Sequence, residues 1–262
     1  MSTPQSSRRE ALRAQQQAQE AAARRRKIIT IVAGVVALVV IAGVVIAALT
    51  RSDGRTNDQV TPPDADAATG AITVKPDKAG KDVPTVTVYQ DYQCPVCKQV
   101  HMVFGPSLDE LASQGKIRLQ YRTLTFLDDN LHNDASYRAA MAAAAADVVG
   151  HYEKYHDTVF ANQPASEGQG YTDQQLRDTF ARDAGITGSD LTKFQKLYDD
   201  RALSDFVKNA ADKGLEEGTK LSKDFGTPAF TVDGKLWNGW RTLADRSPDG
   251  LLKAIQDAAK QS

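Results

Sequence analysis

The chain has 262 residues, 41% hydrophobic and 25% charged, with 32 Lys and Arg against 33 Asp and Glu. That composition is globular and excludes collagen-like, disulfide-dense and disordered classes. A net charge of -1 excludes a protein that grips nucleic acid through a dominant basic surface, and two cysteines exclude a disulfide framework.

Charge is distributed unevenly. Residues 1–27 carry Arg8, Arg9, Arg13, Arg24, Arg25, Arg26 and Lys27 against only Glu10 and Glu20. Ile28 to Leu49 follows, 22 residues without a charge, all Ile, Val, Ala, Gly or Leu except Thr30. As a helix this run is about 33 Å long, enough to cross a ~30 Å hydrocarbon core. The basic cluster on its N-terminal side predicts a cytoplasmic segment 1–27, a transmembrane helix 28–49 and an exported remainder. A cleavable signal peptide is the competing reading. Its apolar region is shorter, and Ala47-Ala48-Leu49-Thr50 is a poor cleavage site. No cysteine follows the run, which excludes a lipoprotein. Residues 50–70 are polar, contain Pro and Asp and lack apolar periodicity, and read as a linker.

Ordered sequence is predicted from Ala71. Ile72-Thr73-Val74 is a short strand, and Val83 to Tyr89, β-branched and aromatic, a stronger one. Val96, Val100, Val103 and Phe104 have helical spacing. Gly105-Pro106 predicts a break, Ser107 to Glu110 a capping box opening a second helix, and Gly115 its stop. Ile117 to Arg122 alternates like a strand and completes a βαβ unit.

The middle of the chain is helical. Residues 134–161 are Ala-rich, and Asp147 and Arg138 argue for a close-packed helix in a bundle rather than a second membrane span. Thr172 to Gln175 forms a capping box, its helix stops near Gly185, and residues 190–223 supply one or two more. Ala229 to Val232, Asp233-Gly234 and Lys235 to Trp237 form a two-residue hairpin, since Asp-Gly suits a type I′ turn. Pro248 to Gln261 is an amphipathic helix.

Cys94-Pro95-Val96-Cys97 lies where the strand gives way to the helix. A helix N-terminus stabilises a thiolate at Cys94, and i,i+3 spacing brings Cys97 to the same face to resolve a mixed disulfide. Pro95 suits the first turn. Pro95 and Val96 carry neither charge nor ring nitrogen, which leaves most of the tuning to the helix terminus. Two readings compete with redox chemistry. Cys94, Cys97 and His101 have the spacing of three zinc or copper ligands, although His101 also fits a helix surface. An inert disulfide is the other, but a four-residue ring is strained and labile. Thr227-Pro228 opens a strand, where an X-Pro bond has either a cis or a trans state. Asp91, three residues before Cys94, reads as a strand-end polar residue with some leverage on its acidity. His132, His151 and His156 are scattered and carry no catalytic assignment. Tyr92, Trp237 and Trp240 read as core aromatics or as the wall of a substrate groove.

Val88 to Cys97, the helical insertion and Gly226-Thr227-Pro228 together resemble the DsbA-like thiol–disulfide oxidoreductases, more narrowly the membrane-anchored actinobacterial members. The resemblance covers residues 71–262 and implies an α/β thioredoxin-like fold, residues 71–130 and 226–262, with a helical insertion at 131–225. It implies that Cys94 is the exposed nucleophile and Cys97 the resolving thiol. It further implies that Pro228 is cis against the pair and that the Thr227 backbone binds substrate. No cofactor is implied. The expected partners are reduced exported proteins and a membrane reoxidant of DsbB or vitamin K epoxide reductase type. The Pro-Val dipeptide departs from the Pro-His of the strongly oxidising enterobacterial enzyme. Oxidase is the leading expectation, reductase or isomerase the alternative, and a metal-binding module the third.

Overall fold

The computed structural model describes residues 58–261. The basic segment 1–27, the expected membrane helix 28–49 and the first part of the linker lie outside the described residues. Among the described residues no helix is long and apolar enough to cross a membrane.

In chain order the elements are β1 (Ile72–Thr73), β2 (Thr85–Gln90), helix α1 (Pro95–Ser113) and β3 (Arg118–Thr123). Then come α2 (Leu127–Leu131), α3 (Ala135–Val148), α4 (Tyr152–Ala161), a π turn (Gln175–Thr179) continuing into α5 (Phe180–Asp183), α6 (Gly188–Asp199) and α7 (Ser204–Leu221). The chain closes with β4 (Ala229–Val232), β5 (Lys235–Leu236) and α8 (Pro248–Ala259). The sheet order is β1-β3-β2-β4-β5. β2 and β3 are parallel, as a βαβ crossover requires, and the other pairs are antiparallel.

Local sequence explains most of these elements. Val86 and Val88 are buried, and β2 lies between β3 and β4, where a strand needs apolar β-branched residues. Asp233 and Gly234 have φ of 47° and 80°, the left-handed pair that a type I′ hairpin needs. Thr172 and Gln175 exchange reciprocal bonds, each side chain accepting from the other's backbone N–H. Every residue from Ala139 to Ala146 is buried, so α3 is packed all round by protein, as its alanines permit. Its Asp147 accepts from Asp64 N at 3.1 Å, and burial pushes its carboxyl up to about 7. In α7, a Cβ on Gly214 would lie 2.6 Å from Leu124 Cδ2, so glycine is what lets α7 lie against β3.

One expectation is corrected. No break occurs at Gly105-Pro106; α1 runs unbroken for 19 residues with Pro106 inside. Proline deprives only the Met102 carbonyl of its helical donor, and this turn of the helix lies at the surface, with Met102 58% exposed. Ser107 therefore caps nothing, and its hydroxyl instead donates to Arg246 O at 2.8 Å, tying α1 to the segment before α8. Gly115 does stop the helix, with φ of 68°.

Candidate active site

β2 delivers the backbone to a tight turn at Asp91-Tyr92-Gln93, closed by Cys94 N donating to Asp91 O at 3.1 Å. Cys94 is the N-cap of α1, and its Sγ accepts from Cys97 N at 3.3 Å. Pro95, lacking an N–H, occupies the first turn at no hydrogen-bonding cost. From the other side of the fold, the cis Thr227-Pro228 bond at the head of β4 brings Thr227 O to 3.5 Å from Cys94 Sγ, which donates to it as a thiol. Both cysteines are free thiols.

The two thiols have opposite acidities. Cys94 is pulled from an ordinary value near 9 down to about 6. The hydrogen bond from the Cys97 thiol contributes most, ahead of the backbone N–H groups of Cys97 and Val96 and the Thr227 side chain, while burial opposes them. Cys97 is pushed well above its ordinary value by burial first and then by the neighbouring Cys94. The helix terminus thus shares the tuning, and the Cys97 thiol supplies its largest part.

The helical segments grip this turn. Gln163, just after α4 and itself buried, donates from Nε2 to Tyr92 O at 2.8 Å and Cys94 O at 3.1 Å. Tyr171 Oη donates to the same Tyr92 carbonyl at 2.8 Å. Lys98 Nζ in turn donates to Gln163 O at 2.9 Å. Asp91 is wholly buried, accepts from Gln93 N, Leu127 N and Ser136 Oγ, and is pushed by burial up to about 7. Gln163 and Tyr171 sit in no motif, and nothing in the sequence marks them out.

Cys94, expected exposed, is only 6% exposed, and Cys97 2%. The Thr227 carbonyl and the turn itself cover the sulfur, while Val96 beside it is 49% exposed. Behind the pair, the space bounded by Cys97, Val100, His101, Pro228 and Phe230 holds only about 10 Å³, too little for a small-molecule substrate. Tyr92, Trp237 and Trp240 are buried in the core. His101 is not on a helix surface: its side chain is 9% exposed and Nε2 lies 3.0 Å from Asp157 Oδ1. Among the described residues it does not join Cys94 and Cys97 in a ligand cluster, which removes the Cys94, Cys97 and His101 metal reading.

Known proteins share this architecture. MdbA, a thiol-disulfide oxidoreductase from Corynebacterium diphtheriae, superposes with a TM-score of 0.58 at 21% identity, covering 80% of this chain and 100% of that one. MdbA from Corynebacterium matruchotii gives 0.55 at 24% identity, covering 69% and 89%. Oxidised Mtb DsbA gives 0.53 at 22% identity, covering 72% and 92%. At these identities the likeness is one of fold. Among curated proteins, Na(+)/H(+) antiporter NhaA 3 of Salinispora tropica is 28% identical over 174 residues, 64% of this chain. The chain spans only 24% of that protein's length. The family model described as thioredoxin matches residues 80–257, more than half of the sequence, and the chain belongs to that family.

Proposed function

We propose that this chain is a membrane-anchored, extracytoplasmic thiol–disulfide oxidoreductase of DsbA type that oxidises exported proteins at Cys94 and Cys97. One observation carries the reading: Cys94, the N-cap of α1 with its thiol pulled down to about 6, and Cys97, buried and held above its ordinary value, share one helix turn beside the Thr227-Pro228 loop. In the oxidised chain, a substrate thiolate attacks Cys94 Sγ. The Cys94–Cys97 bond breaks, Cys97 leaves and takes up a proton, and substrate is joined to Cys94. A second substrate thiolate then attacks the substrate sulfur, forming the substrate disulfide and expelling Cys94 as a thiolate. A thiol that ionises at about 6 is a good leaving group, and this favours the oxidase direction over reductase or isomerase.

The Thr227 carbonyl borders the Cys94 sulfur, which supports the reading that its backbone meets substrate there. The lack of interior space behind the pair suits a protein substrate arriving at the surface. The charge-free run 28–49 behind a basic segment supports anchoring with the catalytic domain outside. Return to the oxidised state then needs an electron acceptor at the membrane, of DsbB or vitamin K epoxide reductase type on the family resemblance. In an assay of oxidation of a reduced protein, Cys94→Ser abolishes turnover, and Cys97→Ser, which cannot form the Cys94–Cys97 disulfide that accepts the substrate's electrons, abolishes it as well. Undiminished turnover in Cys94→Ser contradicts the proposal.

A further inference from the structure

His101 and His156 are 55 positions apart in sequence, yet their ring centroids lie 4.7 Å apart at 84°. They converge because α1 packs against α4. Asp157 sits between them: its Oδ1 is 3.0 Å from His101 Nε2 and 3.6 Å from His156 Nδ1. One ligand atom from each of the three lies within 4.8 Å of the others. Zinc held at ~2.0–2.1 Å by tetrahedral ligands places neighbouring ligand atoms about 3.3 Å apart, between the two distances observed. From this geometry we infer a divalent transition-metal site of zinc type, formed by His101, His156 and Asp157 and separate from the cysteine pair.

Supporting groups hold the ligands in place. Gln90 Nε2 lies 2.7 Å from His156 Nε2. Turning that amide by 180° lets its oxygen accept from Nε2–H, which leaves Nδ1 with a lone pair toward Asp157. Phe160 stacks on the His101 ring at 5.0 Å and 28°. Gly105, one turn later, leaves the ring its space, since a Cβ there would lie 3.2 Å from it.

A second observation points to a cation independently. Asp109 Oδ1 is buried and has no hydrogen-bond partner. The Asp109 residue lines, with His101 and Asp157, a cleft of about 220 Å³ that reaches the His101 and Asp157 side of the cluster and gives an ion and its waters a way in. A bare buried carboxylate oxygen costs free energy that a cation, or water bound to one, removes. Glu153 adds negative charge near Asp109 and is itself paired with Lys75. Two imidazoles and a carboxylate select borderline ions such as Zn²⁺ over Ca²⁺ or Mg²⁺.

The test uses the full chain without a histidine tag, oxidised so that neither cysteine can ligate, with Zn²⁺ alone and Co²⁺ alone as probes. One equivalent of Zn²⁺ binds in competition with a chromophoric chelator and raises Tm. Co²⁺ gives visible ligand-field bands without a thiolate charge-transfer band. His101→Gln and Asp157→Asn each weaken binding at least ~tenfold, while His132→Gln and His151→Gln leave it unchanged. Asp157 is 46% exposed, so its variant keeps the fold, which the Tm of the metal-free protein verifies. Failure of the oxidised chain to bind an equivalent of Zn²⁺ overturns the inference. So does binding that survives in Asp157→Asn, or that is lost in His132→Gln or His151→Gln.

Discussion

The acidity of Cys94 makes the stability of the reduced chain depend on pH in a defined way. A fall from near 9 to about 6 is a thousandfold, or about 4 kcal/mol at ~1.4 kcal/mol per tenfold. Because the folded pKa is depressed, the contribution is complete above the unfolded value near 9 and is lost as pH falls through about 6. At pH 7 the folded thiol is ionised roughly ten to one while the unfolded thiol is protonated, which leaves about 1 kcal/mol. Cys97, held above its ordinary value, stays protonated over this range and does not cancel the effect. The oxidised chain has neither thiol to titrate but shares Asp91, Asp147 and every other ionisable group. The difference in unfolding free energy between reduced and oxidised chains therefore isolates Cys94. Denaturation at pH 5, 6, 7, 8 and 9 should show the reduced chain gaining on the oxidised chain by ~1.4 kcal/mol per pH unit between 6 and 9. For a domain of this size that is about 3–6 °C in Tm per pH unit. A difference that stays flat from pH 5 to 9 refutes the assignment of a stabilised Cys94 thiolate.

Two further outcomes follow from the same contacts. Cys97→Ala removes the largest contribution to the Cys94 acidity, so thiolate absorbance near 240 nm should titrate at a pKa clearly above 6; an unchanged midpoint assigns the tuning to the helix terminus alone. Gln163→Leu strips a donor from the Tyr92 and Cys94 carbonyls and should cost about 1–3 kcal/mol in urea denaturation, with slower thiol exchange; wild-type stability and rate would show that the clamp does not hold the turn.

Much of this architecture was legible because its signals are local. β2 and β3 announce themselves by β-branching and alternation, the hairpin by Asp233-Gly234, and the Thr172 cap by a three-residue spacing. The cysteine pair is legible for the same reason, since an N-cap followed by Pro95 is a local pattern. Where tertiary structure decides, sequence is silent. Pro106 looks like a break unless it is known that the turn carrying Met102 lies at the surface. His101 looks like a surface residue until α4 brings His156 and Asp157 against it. Gln163 binds a turn 69 residues away, and no periodicity or spacing encodes that contact. The burial of Cys94 likewise depends on Thr227, which meets it only after the helical segments have returned the chain to the sheet.

The reduction potential of the Cys94–Cys97 couple, measured on the purified chain by equilibration in glutathione buffers, bears most directly on the proposed role. Preferential stabilisation of the reduced form by the Cys94 thiolate predicts an oxidising value, toward the ~-120 mV of a strong disulfide donor. A value near ~-270 mV, the poise of a reductase, contradicts the oxidase assignment.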